Sequence, residues 1–242
     1  MSATPRASPA GRPKERPWRQ PLLLGAGIAA LLYLLGFYTT PALQDLAKPI
    51  PAACLATLVL LERRDRYGRF IAAGLLISAV GDLLLESDGA FLMGLLAFLG
   101  AHIAYALAFF DDDPRPRLGR AVPFAVWLLV VGRWLWPRLG SMAGPVAVYM
   151  VAIGAMMWRA AARVDRFEEP TSGPSAALVG AVLFGLSDTI LAIERFRSPV
   201  PYGDFLVMLL YWAGQTGIAA SAVPFARRDP RRSGIAPSGG ER

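Results

Sequence analysis

The sequence ISAVGDLLLE, residues 77–86, closes an apolar segment that begins at residue 69 and carries an aspartate, Asp82, near its end. About 17–25 apolar residues are enough to cross a bilayer as a helix. A carboxylate inside such a helix costs roughly 2.5–3.5 kcal/mol on insertion scales. A chain that keeps Asp82 there either compensates its charge with partners or uses it in chemistry.

The rest of the chain has the composition of a membrane protein. Of its 242 residues 55% are hydrophobic, and the mean hydropathy is +0.42, whereas soluble domains have roughly 45–50% apolar residues. The apolar residues form eight segments separated by short polar stretches, at 21–40, 46–61, 69–86, 90–110, 120–136, 144–162, 174–194 and 203–223. This pattern predicts an all-α integral membrane protein with eight transmembrane helices.

The basic residues predict the orientation. With eight crossings, 20 of the 25 Lys and Arg residues fall in the two terminal segments and in alternate loops. This bias indicates that both termini are cytoplasmic, with the chain in the plasma membrane, or inner membrane of a bacterium. Residues 1–20 and 224–242 are then disordered cytoplasmic tails on a transmembrane domain at 21–223. The same clustering argues against nucleic acid binding, in spite of the net charge of +7.

Several classes of active site are excluded by residue counts. One cysteine and one histidine rule out an intramolecular disulfide, a CxxC site and a multi-histidine metal centre. The sequence GLSDT around Ser187 lacks the last glycine of the GxSxG nucleophile motif. We therefore expect no metal and no cofactor.

A small set of polar residues lies inside the apolar segments. Asp82 and Asp188 are each expected about 6–9 Å below the outer end of their helix, and Ser78 and Glu86 share the helical face of Asp82. The other candidates, as groups that bind or orient a substrate, are Lys48, His102, Tyr105, Ser187, Tyr211 and Gln215. By contrast, Asp111 to Asp113 fall in an inner loop and are expected to be solvated.

Three interpretations of these buried groups remain open. The groups can form hydrogen bonds that hold helices together and take part in no reaction. Two aspartates at one depth, of which one is neutral and one ionised, can also carry general acid–base hydrolysis or couple proton movement to transport. The resemblance between AVGDLLLE, at 79–86, and GLSDTILAIE, at 185–194, further predicts a parallel repeat of two four-helix halves.

The sequence resembles the YhhN-like transmembrane lysoplasmalogenase family over about residues 30–222. The matching pieces are KP at 48–49, GD at 81–82, GLLAFLGAHIAY at 94–105, GAVLFGLSD at 180–188 and YWAGQ at 211–215. One departure is Gly214, where the family more often has alanine.

The resemblance implies an eight-helix hydrolase that cleaves the vinyl-ether bond of lysoplasmalogens to a fatty aldehyde and a glycerophospho-headgroup. On this interpretation Asp82 and Asp188 are catalytic, the substrate is a lysophospholipid and the other neighbours are membrane lipids. The alternatives are a proton-coupled carrier of a lysolipid or other amphipathic solute and a lipid-binding structural protein. The sequence does not indicate an oligomeric state.

Overall fold

The structure is a computed structural model that describes residues 16–36, 41–87, 89–164 and 173–223. The regular elements in these ranges are all helical. The α-helices are α1 (Arg19–Gly36), α2 (Pro41–Ala47), α3 (Ile50–Glu62), α4 (Arg66–Glu86), α5 (Phe91–Asp112), α6 (Val122–Leu135), α7 (Ala143–Ala162), α8 (Gly173–Phe196) and α9 (Gly203–Ala222). The prediction of an all-helical protein is confirmed.

Seven segments of the described chain are long and apolar enough to cross a membrane, as expected of an integral membrane protein. One of them, Leu118–Ala162, has 45 residues and contains both α6 and α7. These two helices are antiparallel neighbours, because a Cβ atom on Gly132 would lie 3.0 Å from Met150 and one on Gly154 would lie 2.3 Å from Leu128. Eight crossings, with α6 and α7 as separate passes, stays a prediction.

The helix boundaries lie close to the predicted segments, with two differences. The second segment begins with the short helix α2, and Lys48 lies in the turn before α3, where Pro49 is the N-cap and Pro51 lies in the first turn as expected. The first helix already begins at Arg19, inside the predicted tail. The remainder of the two predicted tails, residues 1–15 and 224–242, lies outside the described residues.

Glycines let two pairs of helices pack closely. Between α4 and α5, a Cβ atom on Gly74 would lie only 2.3 Å from the ring of Tyr105. In α8 and α9, a Cβ atom on Gly180 would lie 2.6 Å from the carbonyl oxygen of Gly214, so the two backbones are in contact. Each predicted half thus contains one tightly packed pair, although the repeat itself stays a prediction.

The arginine-rich loops meet at one end of the bundle, which we call the basic end: it is formed by residues 62–66, 111–120 and 159–163. The expectation that Asp111 to Asp113 are solvated is wrong for Asp113, which is 8% exposed. The side chain of Arg115 donates two hydrogen bonds to Asp113, both at 2.9 Å, and these lower the pKa of Asp113 to about 2. Asp112 accepts a hydrogen bond from Arg163 at 2.8 Å. Asp112 therefore ties α5 to α7, while Asp113 is held by an arginine of its own loop.

Candidate active site

Asp82 lies on α4, one turn before its end, and is 2% exposed. Its Oδ2 atom accepts a hydrogen bond of 2.8 Å from the hydroxyl of Tyr211 on α9. Lys48, predicted as a residue that binds or orients the substrate, forms an ion pair with Glu86, one turn further along α4 on the face of Asp82. Asp82 and Tyr211 therefore form one buried cluster, with the Lys48–Glu86 pair between it and the end of the bundle.

Asp188 lies on α8 in a second cluster. The hydroxyl of Tyr149, on α7, donates a hydrogen bond of 2.7 Å to its Oδ2 atom. The Nε2 atom of His102, on α5, lies 3.4 Å from the same oxygen, although His102 makes no hydrogen bond of good geometry to it. The imidazole is fully buried and packs against Phe184, with the ring centroids 4.7 Å apart.

Aromatic side chains separate the two clusters. The rings of Phe98, Phe184 and Tyr211 pack edge to face, with centroid distances of 5.2–6.0 Å. Because α8 continues to Phe196, Asp188 is about 12 Å below its helix end and Asp82 about 6 Å below that of α4. Among the residues that the structure describes, no hydrogen bond joins the two carboxyl groups. The predicted polar groups therefore form two clusters, one around each aspartate.

The remaining predicted site residues connect helices. Tyr105 and Gln215 are both fully buried, and the hydroxyl of Tyr105 donates a hydrogen bond of 2.6 Å to the Oε1 atom of Gln215. The hydroxyl of Ser187 donates to the carbonyl oxygen of Val207 at 2.8 Å, which ties α8 to α9. These contacts are of the kind that stabilises helix pairs in membranes.

An apolar cavity opens beside Asp188. It is a narrow, partly open cleft of about 60 Å³ between α4, α5, α6, α7 and α8. Its walls are mostly aliphatic and aromatic, and Asp188 and Tyr149 reach it from the side. Asp82 is not part of its lining, so Asp188 is the carboxyl group that a molecule in the cavity would meet.

Comparisons with known proteins place the chain in a family. The family model that matches is that of the YhhN family, over residues 43–222. The chain belongs to the YhhN family.

Curated relatives cover most of this YhhN-family chain. It is 32% identical to the human "Lysoplasmalogenase TMEM86B" over 88% of its own length and 90% of the relative's. It is 38% identical to the bovine "Lysoplasmalogenase TMEM86A" over 63% of its length and 65% of the relative's. A "Lysoplasmalogenase" of Mycobacterium tuberculosis is 35% identical, over 71% of this chain and 66% of the relative. No solved structure matches the chain.

Tyr149 is a site residue of this YhhN-family protein that sequence reasoning missed. It is the single hydroxyl-bearing side chain of the predicted segment 144–162, and it donates the shortest contact to Asp188. Its isolation in an apolar segment was the available signal. An aromatic ring in a membrane helix is, however, also ordinary packing material, so the signal was weak.

His102 is expected to position Asp188 rather than to supply the essential proton. The substitution His102→Gln keeps a polar group beside the carboxyl but loses the imidazole packing on Phe184 and Tyr149. Turnover should fall about 10²-fold, as is typical when positioning is lost. The pH–rate profile, measured on the purified variant, should keep its shape. Loss of one limb of the profile near neutral pH would instead identify His102 as the acid or base.

Proposed function

We propose that this protein is a membrane-embedded lysoplasmalogenase, which hydrolyses the vinyl-ether bond of lysoplasmalogens to a fatty aldehyde and a glycerophospho-headgroup. The names of the relatives support this activity. The observation that carries it in this chain is the carboxyl group of Asp188 at the wall of an apolar cavity. The apolar walls of this cleft suit part of a hydrocarbon chain that enters from its open side, because they replace the apolar surroundings of the bilayer.

The reaction needs a proton donor and an acceptor. Protonation of the alkene carbon gives an oxocarbenium ion, and water then adds to the carbon that bears the ether oxygen. The water gives up a proton, and the resulting hemiacetal collapses to the aldehyde and the alcohol. A pair of carboxyl groups performs comparable steps around an oxocarbenium-like centre in glycosidases.

The two clusters support different roles. Asp188, in its neutral form, faces the cavity and is placed to donate the proton to the alkene. Asp82, which Tyr211 holds by a hydrogen bond of 2.8 Å, is the second carboxyl group and receives the proton of the water. Phe98, which lines the cavity and packs on Tyr211, lies between the substrate position and Asp82. Because Phe98 lies between them, the proposed step requires its ring to move aside, so that a water molecule bound to Asp82 reaches the oxocarbenium carbon.

The orientation in the membrane follows from the basic end. The loops that carry most arginines lie at one end of the bundle, and the cavity is lined near the other by Phe91, Leu135 and Phe196. With the basic end in the cytoplasm, the site faces the outer leaflet of the plasma membrane. Cysteines at Ser87 and Ser198, in a background that lacks Cys54, should react with an impermeant maleimide from outside intact cells. Labelling only after the cells are opened would reverse the topology.

The activity is tested with purified protein in detergent. Incubation with a lysoplasmenyl-ethanolamine should release a long-chain aldehyde, measured by a coupled dehydrogenase, whereas the saturated 1-O-alkyl analogue should release none. A carrier needs two compartments and would not turn over substrate in micelles. Absence of aldehyde from folded protein, with folding checked by circular dichroism, would contradict the proposed function.

A further inference from the structure

The four arginines at the end of the bundle opposite the basic end, Arg133, Arg138, Arg195 and Arg197, form no ion pair within the described residues, and two of them share one groove. Arg133, near the end of α6, and Arg197, just after α8, line one open groove with Val130, Trp134 and Pro137. Neither arginine forms an ion pair within the ranges 16–36, 41–87, 89–164 and 173–223. The arginines of the basic end differ, since Arg63, Arg66 and Arg163, for example, are each paired with an aspartate.

The groove adjoins the cavity beside Asp188. Val130, Arg133 and Trp134 form one stripe of α6 at helical spacing, and Pro137 continues it in the 3-10 turn that follows α6. The neighbouring stripe, with Val131 and Leu135, lines the cavity. Phe196, the residue before Arg197, also lines it. A molecule whose chain occupies the cavity would therefore bring its polar end to the groove.

The aromatic side chain in the groove holds one of the arginines. The guanidinium carbon of Arg197 lies 4.8 Å above the ring of Trp134, a cation–π contact that orders the side chain and leaves its N–H groups free to donate. Trp134 is 44% exposed, and tryptophan is enriched at the depth of lipid headgroups. The groove is thus at the level where a phosphate of a lipid would lie.

We propose that Arg133 and Arg197 form a subsite for the phosphodiester of the substrate headgroup. Guanidinium groups bind phosphate oxygens through paired, charge-assisted hydrogen bonds. Arg197 comes nine residues after Asp188, roughly 13 Å along the helix axis. The glycerol backbone of a lysophospholipid and the length of an arginine side chain together span this separation when the ether bond is at Asp188.

The subsite rests on the proposed function but makes a separate prediction about specificity. It recognises the phosphate and not the amine of the headgroup, so ethanolamine and choline lipids should be equivalent at these two residues. It also predicts that an alkenylglycerol, which has the vinyl ether and no phosphate, binds more weakly than a lysoplasmalogen. The groove would recognise the charge of the substrate's phosphate at the surface, and the cavity would recognise its hydrocarbon chain.

The test compares Arg133→Gln, Arg197→Gln and the control Arg138→Gln with both substrates. Arg138 is an exposed arginine of the same end of the bundle that does not line the groove. In detergent, each of the first two substitutions should raise KM for lysoplasmenyl-ethanolamine about tenfold, leave kcat within about twofold, and leave the kinetics with alkenylglycerol unchanged. The Arg138→Gln variant should match the parent protein with both substrates. Equal KM values for the parent and both groove variants would overturn the subsite.

Binding of the saturated 1-O-alkyl lysophospholipid, measured by calorimetry, separates the two proposals. A parent protein that binds this analogue with an affinity that Arg197→Gln lowers, but that releases no aldehyde from lysoplasmenyl-ethanolamine, would support the subsite and contradict the proposed activity. Aldehyde release together with unchanged binding of the analogue in the arginine variants would support the proposed activity and contradict the subsite. The groove could instead hold phosphate of bulk membrane lipid. In that case, the variants would lose activity toward both substrates in phosphatidylglycerol vesicles but would keep it toward both substrates in detergent. That result would also overturn the subsite.

Discussion

Replacement of Asp188 by asparagine should lower kcat by about 10³-fold, within the range that general acid–base catalysis contributes. Asparagine keeps the shape of the side chain and can still accept the hydrogen bond from Tyr149, but it has no acidic proton to transfer. The protein should therefore still insert and fold. Aldehyde release with lysoplasmenyl-ethanolamine, followed in detergent, measures the effect, while gel filtration and circular dichroism establish that the fold is intact.

The matched variant Asp82→Asn tests whether the mechanism needs both carboxyl groups. We expect a loss of similar size, because without Asp82 the water that attacks the oxocarbenium ion has no base. A control at Thr57→Val, on α3, removes a hydroxyl that bonds the backbone of its own helix away from the cavity lining and should leave turnover nearly unchanged. If Asp82→Asn retains near-normal rates while Asp188→Asn is inactive, Asp82 is structural and Asp188 acts alone.

The substitution Gly180→Ala should destabilise the fold by about 3 kcal/mol or more, the upper part of the range for overpacking. A Cβ atom there would lie 2.6 Å from both the Gly214 carbonyl oxygen and the Ile218 amide nitrogen. These are backbone atoms, so no side chain can rotate away and α8 must separate from α9. Separation of the two helices would also move Ser187 away from Val207. It would thereby displace α8, the helix that carries Asp188.

Unfolding in mixed micelles by added sodium dodecyl sulfate, followed by circular dichroism, measures this free energy. The matched control is Gly27→Ala on α1, where no atom lies within 4 Å of the added Cβ. That variant should be as stable as the parent protein or slightly more so, because alanine is the better helix former. Equal stability of the two variants would show that the contact between α8 and α9 is looser than the structure describes.

Much of the fold is readable from the sequence alone because each membrane helix satisfies its own backbone hydrogen bonds. The apolar segments, their limits to within a few residues and the asymmetry of the arginines all follow from local composition. The same reasoning found Asp82, Asp188 and His102, because an ionisable side chain stands out in an apolar segment. It also found the resemblance to the YhhN family, which the comparison over residues 43–222 confirmed.

Partners and distances between helices were decided by the tertiary structure. An apolar helix in a membrane has no strong amphipathic period, so its sequence does not say which face meets which neighbour. For this reason Tyr149 was missed, and neither the ion pair of Lys48 with Glu86 nor the aromatic rings between the two aspartates could be predicted. The cavity beside Asp188 and the groove of Arg133 and Arg197 exist only because parts of α6, α7 and α8 that are far apart along the chain come together in the fold.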